Sequence, residues 1–352
     1  LILEKELFED ERFKTLLKDA AESKTFGHPW NLKSQIGPLA VPINEKLTHV
    51  LENTDDEQWL LKPILNSSFE LSPGIKWGIT NEDYEYKNEL FGPILCVMEA
   101  HDLDHAIALA NGTPFGLTSG LESLDKEEVN YWTNKIEAGN IYANRSTTGA
   151  IVERQPFGGI KASSYGFGMK AGGPNYVLQF LTLKNEFTEF ETIKKSYALA
   201  YSQHFSKRID YAKVRGQHNF CQYIMPKKVI IIVDNTTFEH DLKMVIQACE
   251  TLCVEFEIIS NNEKTHLNGY PIKTFKNLIG ILQNHSQGTI IRSITKKVPE
   301  LFLRACHNHH IHVYNRIPHP NGRIELLNYL TEQSISINYH RYGNLMGEGP
   351  SE

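Results

Sequence analysis

The sequence predicts an α/β fold built from two successive series of strands and helices. Three observations support this prediction. Short apolar runs typical of buried strands alternate with stretches whose apolar residues recur at helical spacing. Glycine and proline separate many of these runs. With 352 residues, 41% of them hydrophobic, the chain is long enough to bury more than one core.

The first series occupies the first half of the chain. Its predicted elements are, in order, a helix over 13–21, a strand over 75–79, a buried strand over 94–98, a helix over 102–111 and a helix over 129–136. Asp102 is the predicted N-cap of the helix over 102–111, and Gly112 lies just past its end.

The second series follows a charged and aromatic stretch over 186–215, which we interpret as a connector with helical pieces. It opens with the β-branched strand 229–233, suited to the interior of a parallel sheet. Thr236 and Glu239 form a predicted capping box before a helix, and a strand over 254–259 completes a βαβ unit. The remaining predicted elements are helices around 278–282, 301–305 and 324–330 and strands over 289–292 and 311–314.

The turn after Val233 contains no glycine. A pyrophosphate needs close approach of the backbone at a glycine turn. The second half, a small Rossmann-like layer, is therefore predicted not to bind a dinucleotide in the usual way.

Composition and charge exclude several classes of protein. With a formal net charge of −6, the chain lacks the excess of positive charge that is typical of nucleic-acid-binding proteins. No apolar run approaches the length of a membrane span, and the charged opening Leu1-Ile2-Leu3-Glu4-Lys5 does not look like a secretory signal. Because the chain does not open on Met, we expect it to be part of a longer protein.

The five cysteines show neither a CxxC motif nor a disulfide framework, which fits a reducing cytoplasm. Cys249 and Cys253, four apart on a helical pattern, are interpreted as buried thiols rather than a redox or metal pair. The stretch "CHNHHIHVYNRIPHP" offers metal-ligand residue types, namely Cys306, His307, His309, His310 and His312. Strand-like alternation there sends the histidines to different faces, so no metal site is predicted.

A polar, glycine-rich loop follows the apolar run Asn140-Ile141-Tyr142 and reads "NRSTTGAIVERQPFGGIKAS". It matches neither a phosphate loop nor a dinucleotide turn. Small residues let the main chain approach an anion, and adjacent N–H groups can form an anion nest. From the loop alone, an ordinary surface connection is the alternative.

Glu89 and Phe91 precede the buried strand over 94–98. Taken alone, Glu89 is a solvated turn residue and Phe91 a core anchor. A chemical interpretation would have the carboxylate accept two sugar hydroxyls while the ring lies beside a flat cofactor.

Several motifs together carry a family resemblance. "ELFGPILCVMEAHDLDHAIALANGTPFGLTSGLES", "IEAGNIYANRSTTGAIVERQPFGG" and "KAGGPNYVLQF" resemble the C-terminal part of the aldehyde dehydrogenase superfamily catalytic domain, and within it the Δ1-pyrroline-5-carboxylate (glutamate semialdehyde) dehydrogenases. The segments "VRGQHNFCQYIMP" and "NGRIELLNYLTEQSISINYHRYGNL" resemble the C-terminal region of bifunctional proline utilization A proteins, which join a flavin-dependent proline dehydrogenase to the aldehyde dehydrogenase.

The resemblance implies a domain organisation. Residues 1–180 would form the C-terminal part of the catalytic domain, 181–227 a connector, and 228–352 a smaller, degenerate Rossmann-like domain with a terminal docking motif. Ile335 and Ile337 alternate with serines like a short strand that pairs with another edge. We expect the segment from Ser334 onward to dock against the aldehyde dehydrogenase half, whereas the alternative is that it finishes the Rossmann-like sheet.

The resemblance also implies site residues. The substrate's α-carboxylate would be held largely by backbone N–H groups of Thr148, Gly149 and Ala150, and Phe157 would wall the aldehyde side of the pocket. For NAD, Glu89 would take the nicotinamide-ribose hydroxyls and Phe91 would lie against the nicotinamide.

The reactive centre is where this sequence departs from the family. The family's nucleophilic cysteine, oxyanion-binding Asn, general-base Glu and main NAD-binding domain would all lie upstream of Leu1. Cys96 lies inside an apolar strand, where a thiolate is disfavoured. No catalytic residue is therefore assigned, and the chain alone is expected to be inactive.

The leading hypothesis is part of an NAD-dependent glutamate semialdehyde dehydrogenase in proline catabolism, with FAD in a separate proline dehydrogenase domain. The alternatives are a non-catalytic assembly or channel-covering module formed by 180–352, or another aldehyde dehydrogenase with a fused tail. The Thr-Thr-Gly-Ala anchor argues against the last. A cytoplasmic homo-oligomer is expected, with any peripheral membrane attachment through the proline dehydrogenase half.

Overall fold

The computed structural model describes residues 1–164, 169–260, 270–274, 278–282, 288–341 and 344–345. The chain forms two compact units. Unit 1 comprises Leu1–Pro114 and Lys126–Glu137, and unit 2 comprises Phe115–Asp125 and Ala138–Glu352. The boundaries of these two units differ from the domain boundaries predicted at 180 and 228, which stay predictions.

Unit 1 is a small α/β layer. Its strands are β1 (Ile2–Glu4), β2 (Trp59–Leu61), β3 (Leu65–Ser67), β4 (Glu70–Leu71), β5 (Gly74–Trp77) and β6 (Ile94–Ala100). Its helices are α1 (Lys5–Glu9), α2 (Glu11–Glu22), α3 (Glu45–Glu52), α4 (Tyr84–Lys87), α5 (Leu103–Asn111) and α6 (Lys126–Lys135).

The main sheet of unit 1 has the order β1-β6-β5-β2, with β5 and β1 both parallel to the central β6. Val97 of β6 is buried, as its apolar run predicts, and Ile75 of β5 is buried in a strand predicted from its alternating pattern. Helix α5 begins and ends as predicted, because the Asp102 side chain accepts a hydrogen bond from the His105 N–H and Gly112 is the C-cap.

Unit 2 contains two five-stranded sheets. Its strands are β7 (Phe115–Gly116), β8 (Thr118–Leu121), β9 (Asn140–Ala143), β10 (Ile160–Lys161), β11 (Ile209–Asp210), β12 (Gln217–Ile224), β13 (Lys228–Val233), β14 (Glu255–Ser260), β15 (Ile272–Thr274), β16 (Thr289–Ser293), β17 (His312–Tyr314), β18 (Thr331–Asn338), β19 (His340–Arg341) and β20 (Asn344–Leu345). Its helices are α7 (Phe190–Ala200), α8 (Glu239–Leu252), α9 (Leu278–Leu282), α10 (Glu300–Asn308) and α11 (Gly322–Glu325).

One of the two sheets is Rossmann-like, as predicted. Its order is β15-β14-β13-β16-β17, and all of its pairs are parallel. The central β13 is buried from Val229 to Val233. Helix α8 packs its predicted apolar face on this sheet. The predicted capping box is wrong: Phe238 is the N-cap of α8, and the Thr236 hydroxyl instead donates to Asp234.

The other sheet brings distant parts of the chain together in the order β11-β12-β18-β9-β8. The predicted strand around Ile335 is confirmed as β18, which pairs antiparallel with β12 and parallel with β9. The alternative that this segment finishes the Rossmann-like sheet is wrong for β18. Of the predicted docking segment, residues 342–343 and 346–352 lie outside the described residues.

Candidate functional site

The glycine-rich loop after β9 forms the candidate site, and we call residues 144–155 the anchor loop. Its stretch from Ser146 to Val152 is exposed to solvent. A bridge between Ile151 and Gln155 closes the loop, with the Ile151 N–H donating to the Gln155 carbonyl and the Gln155 N–H donating back. The loop is therefore an exposed turn on a buried strand.

Gly149 sets the direction of the backbone at the tip of the anchor loop. Its φ of +103° lies in a region that favours glycine. The Gly149 carbonyl oxygen accepts from the Tyr142 hydroxyl at 3.3 Å and, with the Gln155 amide oriented to satisfy both of its ends, from Gln155 Nε2 at 2.9 Å. Because C=O and N–H point in opposite directions in a trans peptide, these two bonds turn the Ala150 N–H away from Tyr142 and Gln155.

The exposed side of this peptide offers hydrogen-bond donors. Within the described part of the chain, the backbone N–H groups of Gly149 and Ala150 have no acceptor. The Thr148 N–H donates to the Ser146 hydroxyl at 3.3 Å, so it is engaged inside the loop. Two adjacent free N–H groups on an exposed turn can bind an anion such as a carboxylate.

Arg145 places a positive charge behind the same peptide. Its Nη2 lies 4.0 Å from the position that a Cβ on Gly149 would occupy and donates to Gln155 Oε1 at 3.3 Å. Its Nη1 donates to the Ser336 hydroxyl on β18 at 2.7 Å, and its guanidinium lies 5.5 Å from the centre of the Tyr142 ring. Among the described residues, no carboxylate forms an ion pair with Arg145, so its charge is available to an anionic ligand.

Neither Arg145 nor Gln155 was predicted from the sequence to be a site residue. The only local signal was their position beside the strand end and the loop tip. Their contacts with Gly149 and Ser336 depend on the folded structure.

Phe157 follows the anchor loop in a tightly held turn. Its N–H donates to the Ala171 carbonyl at 3.0 Å, and its carbonyl accepts from the Ala171 N–H at 2.9 Å. Asn140 of β9 holds both sides of the turn, since Nδ2 donates to the Pro156 carbonyl at 3.0 Å and Oδ1 accepts from the Gly158 N–H at 3.1 Å. The half-buried ring of Phe157 therefore rests on a fixed backbone.

A buried lysine lies beneath this turn. Lys170 Nζ donates to Asn140 Oδ1 at 3.3 Å and to the Gly158 carbonyl. The Lys170 backbone N–H donates to the carboxylate of Glu332 on β18 at 3.0 Å. Burial lowers the pKa of Lys170 to about 8, and burial raises the pKa of Glu332. A second contact thus joins β18 to the turn that carries Phe157.

Glu89 and Phe91 lie in unit 1, whereas the anchor loop and Phe157 lie in unit 2. Between the two residues, buried Leu90 is fixed by the Asn44 amide, which donates to the Leu90 carbonyl at 3.0 Å. Phe91 has a φ of +53° and is 74% exposed, and Glu89 is exposed. The alternative that Phe91 is a core anchor is therefore wrong, because its ring is held out in solvent.

The cysteines offer no evident nucleophile. Burial raises the pKa of Cys96 to about 11 and the pKa values of Cys221, Cys249 and Cys306 to about 12, so these thiols stay protonated at neutral pH. Cys253 is exposed at the end of α8, contrary to the expectation of a buried thiol. No three metal-ligating side chains gather in the described part of the chain. In the same residues, no helix has the length and apolar character needed to span a membrane.

Comparison with known proteins places this geometry in context. A profile described as "Aldehyde dehydrogenase family" matches residues 1–185. Proline utilization A (PutA) from Corynebacterium freiburgense is structurally similar over 95% of this chain and 34% of its own, with a TM-score of 0.78 and 30% sequence identity.

Two curated relatives are similar in sequence. 1-Pyrroline-5-carboxylate dehydrogenase 1 from Halalkalibacterium halodurans is 31% identical over 187 residues, which are 52% of this chain and 36% of the relative. 1-Pyrroline-5-carboxylate dehydrogenase from Bacillus thuringiensis is 35% identical over 133 residues, which are 38% of this chain and 24% of the relative. The chain thus spans about a third or less of the length of these proteins.

Proposed function

The chain belongs to the aldehyde dehydrogenase family, and on this premise we propose that it supplies the substrate-anchoring part of an NAD-dependent L-glutamate γ-semialdehyde dehydrogenase. In that reaction the semialdehyde is oxidised to glutamate. The names of the similar proteins from Halalkalibacterium halodurans and Bacillus thuringiensis support this substrate.

The proposal rests on the free N–H groups of Gly149 and Ala150 and on the nearby positive charge of Arg145. Glutamate semialdehyde has an α-carboxylate that an ordinary aliphatic aldehyde lacks. The free N–H groups of Gly149 and Ala150 would donate to this carboxylate, and the charge of Arg145 would favour it over a neutral group. Hydrogen bonds to a charged group contribute about 1.5–3 kcal/mol each, so two of them discriminate strongly between the two aldehydes.

The remaining predicted site residues have separate proposed roles. Phe157, on its fixed turn, would wall the aldehyde side. Glu89 and Phe91 would hold NAD, the carboxylate at the nicotinamide ribose and the exposed ring against the nicotinamide. When bound, NAD accepts the hydride released by the aldehyde carbon.

The nucleophile is proposed to come from elsewhere in a longer protein. Four of the five thiols are held protonated by burial, and Cys253 is exposed at the C-terminal end of α8. We propose that the nucleophilic cysteine, the oxyanion donor and the general base precede Leu1. A flavin-dependent proline dehydrogenase domain, a homo-oligomeric state and a cytoplasmic location belong to the same proposal, and the similarity to PutA supports the first of these.

The test compares two five-carbon aldehydes in the full-length protein. NADH formation from glutamate semialdehyde and from pentanal is followed at several concentrations. We expect the semialdehyde to have at least about tenfold higher kcat/KM, because pentanal has no carboxylate for the anchor loop. Equal values for the two aldehydes would contradict the proposal and favour another aldehyde dehydrogenase with a fused tail.

A second candidate function is a non-catalytic module that covers a channel between two active sites. It is favoured by β18, which joins the sheet that carries the anchor loop. Deleting Ser334–Glu352 from the full-length protein tests it. A covering role predicts a lag in coupled proline-to-glutamate turnover while proline oxidation and the oxidation of added glutamate semialdehyde stay normal. An unchanged progress curve from a folded variant, or a loss on the added semialdehyde, argues against it.

A further inference from the structure

A single buried hydroxyl, that of Ser336, connects the anchor loop to strand β18. Ser336 of β18 accepts a hydrogen bond from Arg145 Nη1 at 2.7 Å and donates to Asn219 Oδ1 of β12 at 2.9 Å. Arg145 and Ser336 are 191 residues apart in the chain. Ser336 is 1% exposed, so its hydroxyl has no access to competing water.

Arg145 connects Ser336, through Gln155, to the backbone that is proposed to bind the substrate. Its Nη2 donates to Gln155 Oε1 at 3.3 Å, and Gln155 Nε2 donates to the Gly149 carbonyl at 2.9 Å. The Gly149 carbonyl in turn determines where the Ala150 N–H points. A continuous set of hydrogen bonds therefore leads from β18 to the proposed carboxylate donors.

We propose that Ser336 is a positioning residue for the carboxylate anchor, so that a strand far downstream of the matched family region sets the substrate preference. The inference rests on the function proposed above. Ser336 holds the Arg145 guanidinium behind Gly149. Without this contact, Arg145 and Gln155 lose their fixed positions, and the Gly149–Ala150 peptide is free to rotate.

The hydrogen bond between Ser336 and Arg145 can be removed without removing the backbone pairing of β18. Strand β18 is held by eight residue pairs with β12 and by four pairs with β9, which involve the backbone. Removing one hydroxyl leaves this pairing in place, so its effect should be confined to the anchor loop. Ser334, on the same strand and 3% exposed, has no hydrogen bond to Arg145 or Asn219 and provides a matched control.

The kinetic experiment uses the full-length protein with Ser336→Ala, Ser334→Ala and Ser336→Thr. We expect Ser336→Ala to raise the KM for glutamate semialdehyde about tenfold while kcat and both constants for pentanal stay close to wild type. Ser334→Ala should behave like wild type. Ser336→Thr keeps the hydroxyl and should restore much of the KM. Equal losses on both aldehydes would overturn the inference, because they indicate a general structural defect.

Hydrogen exchange of the same variants separates this inference from the proposed function. We expect faster amide exchange in residues 144–155 for Ser336→Ala alone, with β13 as the reference for an intact fold. The inference is overturned, whatever the kinetics show, if amide exchange in residues 144–155 rises in neither alanine variant. It is also overturned if exchange rises equally in both. If exchange rises only in Ser336→Ala but the wild-type enzyme does not oxidise glutamate semialdehyde, the positioning role is supported and the proposed substrate is rejected.

Discussion

Gly149 is the residue whose conformation matters most to the proposed site. Its φ of +103° is strained for any L side chain, although a Cβ there would meet only the end of the Gln155 amide at 3.7 Å and Arg145 Nη2 at 4.0 Å. In the full-length enzyme, we expect Gly149→Val to raise the KM for glutamate semialdehyde about tenfold to several hundredfold, because a strained peptide misdirects one or both donors.

The control for this substitution is the KM for a simple aliphatic aldehyde, which should change little. Steady-state assays on both substrates measure the difference. Equal losses on both would mean that the anchor loop is structural only.

Lys170 gives a prediction for the dependence of stability on pH. Burial lowers its pKa from an ordinary 10.5 to about 8. Between these values the folded protein has lost the proton and the unfolded chain keeps it, so the unfolded state binds more protons and stability rises with pH. Below pH 8 the full penalty of burying the ammonium remains.

The quantity to follow is the difference in free energy of unfolding between the wild type and Lys170→Met. We expect the wild type to gain stability relative to the variant as the pH rises from 8 to 10. The slope should approach about 1.4 kcal/mol per pH unit. Urea titrations at several pH values measure it. Taking the difference removes the contribution of titrating groups that do not interact with Lys170. A difference that does not change with pH would mean that Lys170 keeps its proton in the folded state.

At the scale of elements, a buried ion pair joins α11 to β16. Arg292 Nη2 lies 3.1 Å from Glu325 Oε1, and both side chains are fully buried. The Glu325 carboxylate also accepts from the Tyr329 hydroxyl at 2.9 Å and from the His319 N–H at 2.9 Å. The Asn328 amide donates to the same carboxylate at 3.2 Å, so Glu325 has four donors. Its removal leaves Arg292 with an uncompensated charge.

We expect Glu325→Ala to lower the free energy of unfolding by about 3–5 kcal/mol, measured by urea titration. The matched control is Glu300→Ala in α10, which removes an exposed partner of Arg304. It should change stability by no more than about 0.5 kcal/mol, because exposed pairs contribute little. Similar losses in both variants would show that burial does not govern this pair.

At the scale of the whole molecule, the arrangement predicts that this chain alone oxidises no aldehyde. It provides proposed anchor and cofactor-side residues, but burial keeps the pKa values of four of its five thiols at about 11 or 12. The measurement is NADH formation from glutamate semialdehyde, with the full-length protein as the positive control. Turnover above the blank that disappears on thiol alkylation would contradict the prediction.

The sequence by itself determined the elements whose signal is local. The apolar runs of β6 and β13 and the helical spacing of α2, α5 and α8 are confirmed, because a helix or a buried strand is specified by residues near one another in the chain. The ordered motifs over 89–123, 136–159 and 170–180 were together sufficient to indicate the family. Strand β12 was missed because its buried face, Asn219, Cys221 and Tyr223, mixes polar and apolar residues and gives no clear alternation.

Only the tertiary structure decided which distant strands pair and which side chains meet the anchor loop. The alternation in β18 indicated a strand that pairs with another edge, but nothing local specified that its neighbours are β12 and β9. The contacts of Arg145 with Gln155 and Ser336 follow from that pairing. Such contacts join residues up to 191 positions apart, and their partners are chosen by packing and burial of the whole sheet, which no short stretch of sequence encodes.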